Sequence, residues 1–338
     1  MATILPMSPR ALRIVLPGGS GQVGQVLARY FQERGHHVTV LTRGPYTAPW
    51  QTVHWDGEHR GSWIDHLEGA DVCINLAGRS VNCRYNAHNR QAIYDSRIQS
   101  TQLLNQVIAD LANPPRIWMN ASAATLYNRV LDQTGVDLPL DETASLPVDT
   151  QSGETRWSAR RGFSSRVARD WEAAFFATAT PRTRKLALRS AVVLNAAPRS
   201  AFAALSNLVR LGLGGTQGNG RQFVSWIHEA DYARAVEFLI AREDLEGPIN
   251  IAAPTPLPNR AFMAALREAW DVPNGLPAPS LLIKFGALFL RTEPELVLQS
   301  CRAIPARLLD AGFQFAFPDW PEAAEDLVRL WQQRRSEW

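Results

Sequence analysis

The sequence predicts a doubly wound α/β fold, a parallel sheet covered by helices on both faces, with a smaller substrate-side region after it. Three observations predict this. Short apolar runs rich in β-branched residues alternate with segments of helical spacing from residue 12 to 194. The first run ends in a glycine turn, Pro17-Gly18-Gly19-Ser20-Gly21, which opens directly into a helical pattern. Beyond residue 195 the alternation fades into glycine-rich and proline-rich stretches.

Taken in order, Leu12 to Leu16 reads as the first strand. Val23, Val26, Leu27, Tyr30 and Phe31 then fall on one helix face, Gly35 closes that helix, and Val38 to Leu41 is the second strand. Together they make one βαβ unit of about 30 residues. Asp71 to Leu76 reads as a buried strand, Asp95 to Leu111 as a helix, Ile117 to Ala121 as a strand and Arg166 to Thr178 as a helix. Leu186 to Leu194 reads as a single strand. Residues 212–220 are expected to form a flexible glycine-rich loop, and Pro254 to Pro279 is rich in proline. Leu296 to Trp338 carries helical segments around an aromatic set, Phe313, Phe315, Phe317 and Trp320, expected to pack in a core. The expected division is a dinucleotide-binding domain over 1–195 and mainly a smaller substrate-side region over 196–338. Segments within 221–252, Ile249 to Ala252 above all, are candidates to return to the sheet.

Composition narrows the function classes. With 46% hydrophobic and 20% charged residues, the chain has the apolar content to bury a core and is not of the disordered class. A formal net charge of +3, with no dense basic run, excludes a nucleic-acid footprint. The local cluster Arg182, Arg184 and Lys185 reads as a solvated loop. Cys73, Cys83 and Cys301 lie far apart without a CxxC pair, so neither a disulfide framework nor a zinc site is expected, and Cys73 reads as a buried thiol. The seven histidines show no HExxH spacing, and no metal is expected. Met1 to Leu16 lacks a signal-peptide pattern. The apolar stretch Ser280 to Leu290 is broken by Lys284 and falls short of the ~20 residues that span a bilayer. A cytoplasmic protein without membrane partners is expected; a homodimer is compatible with the sequence.

The pattern Gly18-x-x-Gly21-x-x-Gly24 follows a strand and opens a helix, the arrangement of a Rossmann-type dinucleotide site. Gly18 permits the tight turn, Gly21 lets the backbone approach a pyrophosphate, and Gly24 lets the helix pack against the strand. The candidate cofactor-binding residues are therefore Gly18, Gly19, Ser20, Gly21, Gln22, Val23 and Gly24, with the helix N-terminus offering free N–H groups to the phosphates. At the end of the second strand stand Thr42 and Arg43 instead of the carboxylate that holds a ribose 2′-hydroxyl in NAD sites. An arginine pairs with a 2′-phosphate, so NADP is favoured over NAD. Leu76, Ala77 and Gly78, after Asn75, end another strand, where small residues leave room for the ribose and diphosphate.

The glycine turn, Asn75-Leu76-Ala77-Gly78 and Ser122-Ala123-Ala124-Thr125-Leu126-Tyr127 resemble extended short-chain dehydrogenases/reductases. More narrowly, the chain resembles the atypical NAD-dependent epimerase/dehydratase-like proteins of poorly known substrate. The resemblance includes Asp95-Ser96-Arg97-Ile98 with Ser100-Thr101, Trp171-Glu172, Ser225-Trp226-Ile227-His228 with Asp231, and a C-terminal signature around Pro305, Leu308, Gly312-Phe313, Phe315 and Pro318. It runs from about residue 12 to 330. It implies a Rossmann domain, a small substrate-side domain and NADP binding. It also implies a Tyr-x-x-x-Lys pair and a Ser or Thr helper, but Phe163, Val167 and Ala123 stand at those positions. Val224 replaces the arginine that holds a sugar-nucleotide diphosphate.

Chemistry must then come from elsewhere. Tyr127, just after a strand end, is the best candidate proton donor, although a phenol near pKa ~10 needs a positive neighbour. A pocket-lining role is the alternative. Glu142 reads as a solvated loop residue. His228 could titrate near neutrality or serve the following helix, and Arg97 and Glu172 could bind substrate or pair with other charges. Two functions remain open: an NADP-binding, epimerase/dehydratase-like oxidoreductase acting on a small polar substrate, or a dinucleotide-binding regulatory or scaffold protein with little or no turnover.

Overall fold

The computed structural model describes residues 10–127, 137–144, 162–280 and 295–335. Its centre is a seven-stranded, all-parallel sheet. In chain order the strands are β1 (Arg13–Pro17), β2 (His37–Thr42), β3 (Gln51–His54), β4 (Val72–Asn75), β5 (Ile117–Ala123), β6 (Arg184–Ser190) and, later, β10 (Gly247–Ile251). They lie in the order β10-β6-β5-β4-β1-β2-β3, so the winding reverses between β1 and β4. Ile14 of β1 pairs with Val38 on one side and Val72 on the other. The central strands carry apolar residues on both faces because helices cover both sides of the sheet. Ile14, Leu16, Val72, Ile74, Ile117, Met119, Leu186 and Leu188 pack into one core, with α1 (Gln22–Glu33) and α5 (Glu229–Ala241). Val15, Cys73, Trp118 and Ala187, the alternate residues, pack into the other. That core is completed by α2 (Ala87–Asp110) and by Phe175 of α3 (Phe163–Phe176).

A third core belongs to the C-terminal half. It gathers Phe202 and Val209 of α4 (Ala201–Arg210) and Phe262, Met263 and Leu266 of α6 (Asn259–Ala269). Trp320, Leu327 and Trp331 of the last helix, α7 (Trp320–Arg335), close it. Trp320 stacks on Phe262 at 4.1 Å and donates its indole N–H to the Phe262 carbonyl. Phe313 is buried in the first core, so the expected aromatic packing is present, split between two cores. Among the described residues no helix is long and apolar enough to cross a membrane. Of the apolar stretch from Ser280, residues 281–290 lie outside the described residues, as do residues 1–9.

Several elements differ from expectation. The edge strand β3 was not anticipated; its residues Gln51 and Thr52 are exposed, so it lacks an apolar signal. Helix α2 begins at Ala87, not Asp95, because Asn86 caps it by accepting from the Asn89 N–H, and its first turns are polar and exposed. Helix α3 likewise begins earlier, at Phe163. The run 186–194 is two strands. β6 stays in the sheet, while β7 (Val192–Leu194) leaves it to pair in parallel with β9 (Trp226–His228), which follows the two-residue β8 (Phe223–Val224). The glycine-rich segment 212–220 is pinned: the Gly215 and Gly218 amides donate to the Leu276 and Ala278 carbonyls, and Leu276 and Ala278 return bonds to Gly212 and Thr216.

The basic cluster is no solvated loop. Arg182 donates to the Leu111 carbonyl just past α2, Lys185 to the Phe175 and Thr178 carbonyls at the end of α3, and Arg184 to the Leu239 and Ile240 carbonyls at the end of α5. Each cation meets the negative end of a helix. Burial pushes the Lys185 pKa down to about 8.

Charge also holds the interior. Glu172 of α3 and Arg189 of β6 form an ion pair whose side chains are 9% and 5% exposed. Arg189 donates through Nε and Nη2 to the two carboxylate oxygens, and the Ser122 hydroxyl donates to the same carboxylate. Removing one partner leaves a buried charge unmatched. Glu172→Leu and Arg189→Met are each expected to cost about 3–5 kcal/mol in urea denaturation, and the double variant less than their sum. Equal, additive losses of a few tenths of a kcal/mol would mean that the pair is solvent-screened.

His228 caps α5. Its Nδ1 accepts from the Ala230 N–H, so the neutral ring carries its proton on Nε2, 3.2 Å from an Asp326 oxygen. Burial pushes its pKa below 6.5. The unfolded chain therefore binds a proton that the folded chain refuses, and stability is lost as pH falls below about 6.5, with a slope of at most about 1.4 kcal/mol per pH unit. His36, also lowered by burial, acts in the same direction. His228→Asn, which keeps a capping oxygen, should flatten this slope in melting curves between pH 7 and 5. An unchanged slope would assign the acid sensitivity to other groups.

Candidate functional site

The candidate site lies at the carboxyl ends of β1, β2, β4 and β5. The glycine turn is built by close backbone contact. The Gly18 N–H donates to the Leu41 carbonyl and the Leu76 N–H to the Pro17 carbonyl, tying the turn to β2 and β4. Gly18 adopts φ +73°, and a Cβ there would lie 2.6 Å from the Ala77 Cα, so both its conformation and its neighbour demand glycine. A Cβ on Gly24 would lie 2.3 Å from the Gly19 carbonyl oxygen. Gly24 thus lets α1 close on the turn itself, where the sequence suggested contact with the strand. Gly21 differs. Among the described residues the one atom that its would-be Cβ meets is the Gly18 oxygen, at an ordinary 3.5 Å, so the backbone face at Gly21 is open.

The start of α1 is uncapped by any side chain, and its first turn carries no acidic residue. Gly21 and Gln22 are exposed and Val23 is half-buried, which leaves this helix end facing outward with its positive dipole. Ser20 is fixed by its neighbours: the Thr42 hydroxyl donates to its hydroxyl at 2.9 Å, and Gln25 donates to its carbonyl. Gln22 reaches the Pro198 carbonyl beyond β7. Arg43, next after Thr42, is exposed and carries no bond or ion pair to the described residues.

Leu76, Ala77 and Gly78 lie where expected, at the end of β4 and against Gly18. Asn75 organises this edge: its carboxamide accepts from the Ala77 N–H and donates to Asn120 and Thr101, and Trp171 donates to the same threonine hydroxyl. Arg97 of α2 closes over Gly78, with its guanidinium carbon 5.2 Å from the Trp171 ring centre.

Tyr127 is not presented to a substrate. It is 1% exposed, among Ala124, Ala191, Ala252 and Ala303. Its hydroxyl donates to the Asn250 side chain at 2.7 Å and accepts from Arg189 at 2.9 Å. Burial outweighs the arginine and pushes its pKa up to about 12. Both hydrogen-bonding positions are filled, which makes the phenol a poor proton donor. Glu142 is no solvated residue either. It is half-buried and accepts the Asn250 N–H and, at 3.4 Å, the Arg307 N–H, and burial raises its pKa. Glu172 and His228 serve the interior as described above. Phe163 packs edge-on against Tyr85 at 5.1 Å, Val167 is buried, and Ala123 ends β5. None of these three can exchange a proton.

The residues that the sequence did not single out are Asn120, Arg189 and Asn250. Their signal was there: Asn120 and Asn250 are polar residues between apolar neighbours, and all three sit at buried positions that require partners.

Residues 14–252 match the NAD dependent epimerase/dehydratase family, and residues 278–327 match a domain of unknown function, DUF1731. Epimerase family protein SDR39U1 of Bos taurus is 30% identical over 325 residues, covering 94% of this chain and 100% of that protein. An epimerase family protein of Mycobacterium bovis is 32% identical over 305 residues, covering 89% and 93% of the two chains. The crystal structure of human epimerase family protein SDR39U1 with NADPH superposes with a TM-score of 0.80 at 28% identity, covering 94% of this chain and 99% of that one. UDP-N-acetylglucosamine 4-epimerase from Bacillus cereus, at 17% identity and a TM-score of 0.70, shares the fold. The glycine turn, the reversal of winding beside it and a match that runs through all seven strands of the sheet have one common explanation: this chain belongs to the NAD dependent epimerase/dehydratase family.

Proposed function

We propose that the protein is an NADP(H)-dependent oxidoreductase of the epimerase/dehydratase type, acting on a small polar substrate held over the carboxyl edge of the sheet. The observation that carries this reading is the open backbone at Gly21 beside an uncapped helix N-terminus. A Cβ would fill that space, and a diphosphate fits it. Ser20, Gln22 and Val23 border the same cradle, with Gly19 beneath it, and Leu76, Ala77 and Gly78 flank it from β4. Exposed Arg43, with no carboxylate neighbour in Thr42 or Gly44, suits a 2′-phosphate. The relative bound to NADPH supports the same choice. When bound, the nicotinamide supplies or accepts a hydride. The chain's part is to hold the dinucleotide across the end of β1. In this reading residues 1–195 form the cofactor domain, and 196–338 mainly the substrate side, with 221–252 lending β9, α5 and β10 back to the first.

A second reading, a dinucleotide-binding protein with little turnover, is favoured by one set of observations. Phe163, Val167 and Ala123 carry no titratable group, and the Tyr127 hydroxyl is buried and fully bonded. Turnover of NADPH with a panel of aldehydes, ketones and sugars separates the two. Absence of turnover with tight NADPH binding supports the second.

Two variants test the cradle. Gly21→Val should fold with an unchanged melting temperature and lose NADPH binding by calorimetry, whereas Gly24→Val should fail to fold stably because of the Gly19 backbone. Undiminished binding by folded Gly21→Val would place the dinucleotide elsewhere. Arg43→Ala should weaken NADPH about tenfold, from a lost contact worth ~1.5 kcal/mol, and leave NADH affinity unchanged. Equal affinity for the two cofactors in the parent protein would refute the preference.

A further inference from the structure

From the end of β4 to the middle of α2 the chain carries four arginines, Arg79, Arg84, Arg90 and Arg97, against one acid, Asp95. This segment leaves the carboxyl edge of the sheet, where ligands of doubly wound folds gather. β4 and β2 flank β1 on opposite sides, so a dinucleotide that meets Arg43 past the end of β2 extends its other end toward β4.

Arg97 is the unusual member. Its Nη1 donates to the Arg79 and Ile93 carbonyls at 3.1 and 3.0 Å. Its Nε and Nη2 have no acceptor, and no carboxylate pairs with it, among the described residues. Arg182, Arg184 and Arg189, by contrast, each spread their bonds over at least two nitrogens. Arg97 is half-buried against the Trp171 ring, and a Cβ added to Gly78 would lie 3.0 Å from its guanidinium carbon. Glycine at 78 thus makes room for the guanidinium. Burial lowers its pKa to about 10, which leaves it charged at neutral pH. A half-buried cation without a counter-charge is costly, and the neutral carbonyls offset that cost only in part. Trp171, anchored to Thr101, and the α2 backbone hold the group with its Nε–Nη2 edge unused. That planar fork matches a carboxylate or phosphate.

We propose that Arg97 is the anion receptor of the substrate: the small polar substrate carries a carboxylate or phosphate that pairs with the free edge of this guanidinium, on the β4 side of the cofactor. This rests on the cofactor reading above. The probes are inorganic phosphate and malonate, titrated by calorimetry into the NADPH-saturated protein at low salt. Both should bind. Arg97→Met should weaken them at least tenfold and Arg97→Lys by less, while NADPH affinity changes less than twofold in either variant. Unchanged phosphate and malonate affinity in folded Arg97→Met, with only a lower melting temperature, would show a structural arginine and overturn the proposal. A parallel loss of NADPH affinity would assign the edge to the cofactor's own phosphates and overturn it as well. Arg97→Lys carries the test if the methionine variant does not fold. Failure of the parent protein to bind NADPH would sink the cofactor reading instead. The same titration of the free protein then decides Arg97 alone.

Discussion

The ion pair of Glu172 and Arg189 constrains most of what surrounds the site. A carboxylate and a guanidinium in a low-dielectric interior must be matched in position as well as in charge. Ser122 at the end of β5 completes the carboxylate, and Arg189 carries the chain of bonds on to Tyr127. From there it runs through Asn250 to the Ile304 carbonyl, and from the Asn250 amide to Glu142. Six separate stretches of sequence are therefore fixed to one another by groups that cannot be left unpaired. The C-terminal segment is docked on the sheet by this chain, and Tyr127 is part of it.

The cradle follows the opposite principle. Where the polar chain works by filling every hydrogen-bonding position, the glycine turn works by what is missing. Gly18 and Gly24 bring backbone against backbone with no room for a side chain, and Gly21 leaves its face open. The two arrangements adjoin at the carboxyl edge, with Asn75 and Asn120 between them joining β4 to β5. One side of the edge is rigid and saturated; the other offers amides and a helix dipole to an anion.

Between these lies the chemistry that the family resemblance leaves open. The positions where a Tyr–Lys pair would stand hold Phe163 and Val167, and the nearby phenol is spent on structure. Positive charge remains in good supply, on the segment from Arg79 to Arg97. In the proposed reading the site is thus better equipped to hold negative groups than to move protons through its own side chains.

Much of the fold was legible because the parallel sheet leaves a plain signature. Buried on both faces, β1, β4 and β5 carry apolar runs, as does the middle of β6, and α1 and α3 show one apolar face each. Signals failed where exposure removed the pattern, at β3 and in the first turns of α2, and where two apolar strands followed each other without a break, at β6 and β7. Short-range constraints at the site were also readable. Gly18, Gly21 and Gly24 act through the backbone over seven residues, and Thr42 and Arg43 follow from the strand end. What the sequence alone determined is therefore the winding of the sheet and the place of the glycine turn at its carboxyl edge. The fates of Tyr127, Glu142, His228 and the cluster at 182–185 were decided only by tertiary structure. Each depends on partners up to 165 residues away. Whether a polar side chain meets solvent, substrate or a buried partner is a property of the assembled interior, which local pattern does not encode.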